Sequence, residues 1–321
     1  MCDVGTQSNE TNFATNLVGT EPRDMPLELI QKIYDQAALY FPKTKMGYAF
    51  TEPLIYPYLV ESIAYATKKN LYTSVTTNAL NLKKNAIELC KAGLNDIMIS
   101  LDGPEEIHNF IRGHKSSFQR ALEGIEVLLS QTKRPSISVF CVITEWNTAH
   151  LKSFVDFFAK YPLKHMGFMH TNFTPEPIAS FHNSQWGRTY PATVSNIAET
   201  QVETTNLKEL WLQIESIKKS TYEFPVSFSP EIKTEEELKQ FYLEPEKLIG
   251  KRCNDVFSNI MIKSDGSVIP AHGRCYNLTV GNLYENNLKE IWNSETLGKF
   301  RSDLMKAGGL MPACSRCCSA F

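Results

Sequence analysis

The chain reads as an α/β protein built on parallel strands, with a smaller domain behind it. Two patterns lead to this. Strand-like and helix-like stretches alternate through the first half, with strand starts every 20 to 40 residues or so. That is the rhythm of strand–helix units joined by right-handed crossovers, giving an open sheet or a whole or partial barrel. From residue 253 the rhythm changes to a hairpin pattern, and cysteines gather there.

Asp24 followed by Pro26 marks a helix start, and Leu27, Leu29, Ile30, Ile33, Tyr34, Ala37 and Phe41 keep an apolar stripe behind it. Strands are expected near 45–50, 71–77, 96–101, 136–143 and 164–170, separated by amphipathic helices near 57–69, 82–92, 116–131 and 147–160. The stretch 171–205 is polar and contains Pro175, Pro177 and Pro191, so it is expected to be a long loop over one face. A helix near 206–220 completes the barrel. The acidic, lysine-rich 231–250 stretch reads as a helical linker whose charges serve solvation. An Asp265–Gly266 turn then sits inside a hairpin, and a helix near 288–306 stops at Gly308–Gly309. No internal repeat interrupts this order.

With 321 residues, 42% hydrophobic and 21% charged, the chain has ample material for a core, which excludes a disordered tail or a collagen. A formal charge of −2, from 33 basic and 35 acidic residues, offers no global attraction for nucleic acid. No apolar run reaches the roughly 18 residues of a membrane span, and MCDVGTQSNE is not a secretion signal. A cytoplasmic protein is expected. Disulfides are not expected there, so the eight cysteines need another explanation.

Polar residues recur where the first strands end: Thr51 and Glu52, Thr77 and Asn78, Ser100 and Asp102, Thr144 to Asn147, and His170 to Asn172. In a parallel array these ends converge on one rim, where ligands bind. Such residues are also ordinary turn and cap formers, and it is the repetition over successive strands that points to a site. Cys253, Cys275, Cys314 and Cys317 form a second signal, because a CxxC pair lets two sulfurs of one turn reach one metal or cluster. Zinc and an iron–sulfur cluster both fit that spacing. Cys318 is a substitute ligand or a spare thiol, while Cys90 and Cys141, in apolar elements, read as buried thiols.

Taken together, these residues resemble the radical S-adenosylmethionine (SAM) enzymes with a SPASM or "twitch" C-terminal domain, over nearly the whole chain. Phe50-Thr51-Glu52-Pro53-Leu54 is similar to the family's GGEPL motif, Thr77-Asn78-Ala79 to its TNG, and Ser100-Leu101-Asp102-Gly103 with His108 and Ile111-Arg112-Gly113 to its SLDG…H…IRG run. Asp265-Gly266, Pro270, Gly281-Asn282-Leu283, Glu290-Ile291-Trp292-Asn293 and Cys314…Cys317 resemble the SPASM pattern. The resemblance implies a partial (β/α)6-type TIM barrel over 1–220, a linker over 221–250 and a SPASM/twitch domain over 251–321.

Three departures accompany it. Phe50-Thr51 stands where the family has a double glycine, so the backbone approach to SAM is expected to differ. Ala271 replaces a usual cysteine; four thiols suffice for one [4Fe–4S] cluster, which favours the twitch-like form. The CxxxCxxC of the radical cluster is absent, and Cys2 reads as its third cysteine, with the first strand and two cysteines missing upstream. As given, the polypeptide is expected to bind SAM poorly and to be less stable than an intact parent, because one thiolate cannot hold that cluster and the next strand becomes an edge.

What the resemblance implies is a radical SAM oxidoreductase or modifying enzyme. Reductive cleavage of SAM yields a 5′-deoxyadenosyl radical that takes hydrogen from a peptide or small-molecule substrate. Glu52 would hold the SAM ammonium, with Thr51 beside it; Asn78, Ser100 and Asp102 would line the methionine or ribose region, and Arg112 would pair with a carboxylate. Cys253, Cys275, Cys314 and Cys317 would hold an auxiliary [4Fe–4S] cluster, and a flavodoxin or ferredoxin would supply electrons. The alternative is a non-catalytic iron–sulfur or zinc-binding α/β protein.

Overall fold

In the computed structural model, residues 11–18, 23–195 and 201–320 are described. A short helix, α1 (Asn12–Val18), precedes α2 (Leu27–Tyr40), whose Leu29, Ile30, Ile33, Tyr34 and Ala37 are buried as the periodicity predicts. The alternation that follows is β1 (Lys45–Tyr48), α3 (Leu59–Lys68), β2 (Tyr72–Thr77), α4 (Leu82–Ala92) and β3 (Asp96–Ser100). Next come α5 (Glu105–Arg112), α6 (Ser117–Leu129), β4 (Ser136–Ile143), α7 (Leu151–Phe158), β5 (His165–His170), α8 (Glu176–Trp186), α9 (Leu207–Lys219), β6 (Val226–Ser229) and α10 (Glu235–Leu243). The chain ends in β7 (Ile260–Ile262), β8 (Ser267–Pro270), β9 (Gly281–Asn282), α11 (Leu288–Trp292) and α12 (Glu295–Lys306).

Among the described residues, β1 to β6 form one six-stranded sheet whose spatial order is the chain order. The β1–β2, β2–β3 and β3–β4 pairings are parallel, with Lys45 opposite Tyr72, Ser74 opposite Asp96, and Asp96 opposite Ser136. A sheet that never doubles back winds in one direction, as a barrel wall does; an open doubly wound sheet reverses at a switch point. Of the two expected arrangements, the partial barrel is therefore the one formed. A second sheet, β7-β8-β9, is antiparallel where the hairpin was expected. Its turn is closed by Asp265, whose Oδ1 accepts from the Ser267 amide at 3.0 Å and from its hydroxyl at 2.6 Å, with Gly266 at φ 81°.

The chain divides into two compact units, one of Ile30–Met169 with Asn206–Phe228, the other of Met1–Leu29, His170–Thr205 and Ser229–Phe321. The 171–205 stretch is not simply a loop. It contains α8, with Ile178, Ala179 and His182 buried, and an isolated bridge from Thr174 to Ser195. Pro175 caps that helix and Pro177 stands in its first turn, where a missing N–H costs nothing, so residues read as breakers are start signals here. The 221–250 stretch, expected to link, contributes β6 and α10. The helix expected near 288–306 is two helices, because Ser294 accepts the Leu297 amide and begins α12.

Packing within the first unit is closest between α4 and α6. A Cβ at Gly124 would fall 2.6 Å from Leu82 Cβ, so glycine there sets how near the helices approach. Gly124→Ala should destabilise by about 1–3 kcal/mol, despite alanine's better helix propensity, because overpacking outweighs it. A urea midpoint equal to or above that of wild type would refute this packing argument.

Candidate functional site

The strand ends of the first unit bring most of the expected rim residues together. Glu52 caps a short 3-10 turn over Pro53–Ile55, accepting from the Leu54 amide at 3.1 Å. The same Oε1 accepts from Thr77 Oγ1 at 2.6 Å, and Oε2 accepts from the Asn78 amide at 2.8 Å. Glu52 thus ties the end of β1 to the end of β2. Phe50 and Ala79, which stand where the resembled motifs have glycine, hold φ of 73° and 62°. Both keep the left-handed backbone that glycine would adopt, at a cost of roughly 1–2 kcal/mol each for a side-chain-bearing residue. Thr51 is exposed, while Asn78 and Ser100 are half-buried.

Asp102 is placed differently from the expectation of an open rim. It is 1% exposed, and its Oδ2 accepts from Arg112 Nε at 2.6 Å. Its amide donates to His108 Nδ1 at 3.0 Å, and its carbonyl accepts from Asn147 Nδ2 at 2.9 Å. Asn147 also donates to the Val142 carbonyl and accepts from the Thr144 amide, so it fastens the end of β3 to the end of β4. The SLDG…H…IRG run is therefore a single knot, with α5 folding Arg112 back onto Asp102. Because His108 Nδ1 accepts, its proton lies on Nε2, which is buried and has no hydrogen-bond partner among the described residues. Desolvation there pushes the His108 pKa down to about 4.

The second unit holds Cys253, Cys275, Cys314, Cys317 and Cys318. Cys253, Cys275, Cys314 and Cys317 line one cavity of about 80 Å³, several times the roughly 10–15 Å³ that one water needs. Each thiol is held by its backbone: the Cys253 amide donates to Gly309, Cys275 to His272, Cys314 to Met311 and Cys317 to Cys314. From α1, Asn16 Nδ2 donates to the Gly273 and Cys275 carbonyls at 2.9 and 2.8 Å. Burial pushes the Cys253, Cys275 and Cys314 thiols up, and in Cys275 the neighbouring Cys314, Cys317 and Cys253 add to it. Four sulfurs lining one cavity are the donor set an iron–sulfur cluster takes, so the residues present fit that group. Cys2 lies outside the described residues. Cys141 is buried and Cys90 half-buried.

Sequence reasoning missed Arg316, the residue between the paired cysteines. It is 1% exposed. Its Nε donates to the Phe241 carbonyl, Nη1 to the Lys247 and Ser315 carbonyls at 2.9 and 3.0 Å, and Nη2 to Gln240 and Glu244 at 2.7 Å each. The guanidinium also lies over the Phe241 ring, 5.1 Å from its centroid. All but the Ser315 carbonyl lie at the end of α10 and the turn after it, where a helix lacks donors and its dipole is negative. Burial lowers the Arg316 pKa to about 10. His170, expected at the rim, is buried, with Nδ1 2.9 Å from Tyr242 Oη.

The chain matches the radical SAM superfamily over residues 1–158 and the SPASM iron-sulfur cluster-binding domain over residues 253–318. Proteins named AdoMet-dependent heme synthase from Oleidesulfovibrio alaskensis and Methanosarcina barkeri are 35% and 38% identical to it over 79 residues, 24% of this chain. That segment is only 20% and 23% of the length of those relatives. Among solved structures, anSMEcpe with bound AdoMet superposes with a TM-score of 0.59 at 18% identity, covering 87% of this chain and 75% of that one. Streptococcus suis SuiB bound to the precursor peptide SuiA gives 0.58 at 16% identity, covering 98% and 68%. At such identities the likeness is one of fold.

Two measurements test this geometry. With a folded pKa near 4 against about 6.5 unfolded, His108 leaves the unfolded chain with more protons between those values, so its share of stability is full above pH 6.5 and is lost as pH falls toward 4. That share is about 3 kcal/mol, and His108→Gln should flatten this part of the pH–stability curve; identical curves would refute it. Arg316→Met should lose at least about 3 kcal/mol by leaving buried carbonyls unpaired. An unchanged urea midpoint would show that water replaces the guanidinium.

Proposed function

This chain belongs to the radical SAM superfamily and carries a SPASM iron–sulfur domain, and from that premise we propose that it is an enzyme that modifies a peptide or small-molecule substrate by SAM-dependent hydrogen abstraction. The observation carrying this reading is the convergence of Cys253, Cys275, Cys314 and Cys317 on one cavity, in a chain that also forms a motif-bearing partial barrel. We assign an auxiliary [4Fe–4S] cluster to those four thiols and a radical-cluster ligand to Cys2. A peptide substrate is supported by the neighbours: anSMEcpe has been solved with the Kp18Cys peptide and SuiB with SuiA. Electrons come from a small reductant of the flavodoxin or ferredoxin kind, and the cytoplasm suits a chain whose described residues include no helix long and apolar enough to cross a membrane.

Bound cluster and SAM together supply the radical chemistry; the chain's residues bind and orient. Glu52 would hold the SAM ammonium; its Oε2 accepts one hydrogen bond, from Asn78, and has lone-pair capacity left. Thr51, Asn78 and Ser100 line the approach. Asp102 acts through Arg112: it takes Nε and so aims the half-exposed outer nitrogens at a carboxylate, the fork geometry that favours arginine over lysine. Asp102 is too buried to touch SAM itself.

The full set of four auxiliary thiolates would leave no iron open, which favours electron transfer over direct substrate coordination. Anaerobic reconstitution should add about four irons and four sulfides per chain at this site, lost in the Cys314→Ala, Cys317→Ala double variant. Zinc without sulfide would overturn the cluster assignment. In the same preparation, the affinity for SAM read by calorimetry should fall at least about tenfold in Glu52→Gln, a loss of roughly 1.4 kcal/mol. Equal SAM affinity in Glu52→Gln and wild type would overturn the role given to Glu52 and leave the cluster assignment standing.

A further inference from the structure

We propose that Tyr276 is a hydrogen-bond donor to the Cys314 sulfur that holds up the reduction potential of the auxiliary cluster, an inference that rests on the four-cysteine assignment above. Tyr276 follows Cys275 directly and is 5% exposed. Its hydroxyl lies 3.4 Å from Cys314 Sγ, its only hydrogen-bond partner among the described residues. A thiolate bound to iron has no proton, so in the loaded site the direction is settled: the phenol donates and the sulfur accepts. The ring cannot easily turn away. It stacks on His182 with centroids 5.0 Å apart and planes 18° from parallel, and meets Tyr190 at 5.9 Å and Phe300 edge-on at 5.8 Å. His182 is fixed in turn, with Nε2 2.7 Å from the Tyr190 carbonyl.

The neighbouring imidazole looks like a competing candidate, and its hydrogen bonds exclude it. His272, Cys317 and Cys318 bring ligand atoms within 4.8 Å of one another, a grouping that resembles a mononuclear metal site. His272 Nδ1, however, accepts from the Arg274 amide at 3.1 Å, which puts the ring proton on Nε2. Nε2 then donates to Ser319 Oγ at 2.8 Å, and Ser319 donates to Asp255 Oδ2 at 2.5 Å. A ligating histidine needs a donor role at its far nitrogen, the opposite of what Arg274 imposes. Nε2 is also 3.9 Å from Cys317 Sγ, with its proton committed elsewhere. Tyr276 is therefore the side chain whose donor capacity goes to a ligand sulfur.

The consequence follows from charge. Reduction adds one electron to the cluster, drawn from dithionite in a titration, and no proton. The added negative charge spreads onto the sulfurs, so a donor to sulfur stabilises the reduced form more than the oxidised one. Tyr276→Phe keeps the ring and its packing and removes only the hydroxyl. In the reconstituted chain it should retain iron and sulfide while its midpoint, followed by electron paramagnetic resonance, moves to lower potential. Tyr190→Phe, which removes a hydroxyl bonded to Asp303 rather than to sulfur, should leave the midpoint in place. If Tyr276→Phe does not retain the cluster, replacing all tyrosine in wild type by 3-fluorotyrosine, a stronger donor of nearly equal size, should raise the midpoint. An unchanged midpoint in either experiment, with the cluster intact, overturns the proposal. Failure of wild type to take up iron and sulfide at these cysteines is a different result, and overturns the four-cysteine assignment instead.

Discussion

A buried guanidinium holds the cysteine turn in place. Arg316 lies between Cys314 and Cys317, and five of its hydrogen bonds go to backbone carbonyls, four of them at the end of α10 and the turn beyond. A helix C-terminus and an isolated cation each carry a desolvation cost alone; joined, they satisfy one another. The arrangement fixes where the CxxC turn sits relative to α10, and so fixes two of the four sulfurs. From the opposite side, Asn16 grips the carbonyls around Cys275, and the Gly308–Gly309 turn holds Cys253. The cavity is thus framed by hydrogen bonds to backbone groups.

The barrel unit uses the same economy. Residues that the motif reading assigned to SAM also bind each other: Glu52 spans two strand ends, and Asp102, His108, Arg112 and Asn147 close a third and a fourth. Such double duty fits a rim that must be rigid. A carboxylate already held by two amides and a hydroxyl has little rotamer freedom left to lose when a ligand ammonium arrives. An arginine pinned at Nε presents its outer fork in one orientation. The bonds among these side chains make the rim a single frame, in which Asp102 is buried while Arg112 stays half-exposed.

Five strands and most helices were legible because burial and periodicity agree there: the β2 to β5 patterns alternate or run apolar, and the α4, α6 and α7 stripes are those the spacing predicts. The misses have separate causes. β6 has four residues, only Val226 and Phe228 of them apolar, too few for a period to emerge. α8 begins among prolines that break helices in the interior but not at the start. Arg316 and Tyr276 left no periodic trace, since what matters is a side chain reaching an element far away in sequence. The cysteines were visible because their chemistry is rare, whereas the tyrosine that touches one of them was ordinary until the coordinates put its hydroxyl against sulfur.

Phe50 and Ala79 separate the letters of a motif from the backbone that carries them. Both depart from the glycine of the resembled pattern, and on letters alone the departure suggests a different loop. Both nevertheless keep a left-handed φ. The bonds around them explain why. Glu52 must turn back to reach Thr77 and Asn78, and Thr77 Oγ1 must meet both Glu52 and the Ala79 amide at 2.9 Å; a chain in the ordinary right-handed or extended regions would carry these groups apart. The hydrogen bonds over-determine the backbone, so the side chain is accepted with its strain. What persists at this rim is the direction of the amides after β1 and β2. Glycine is the least strained way to achieve it, and the bonded frame around Glu52 is strong enough to do without.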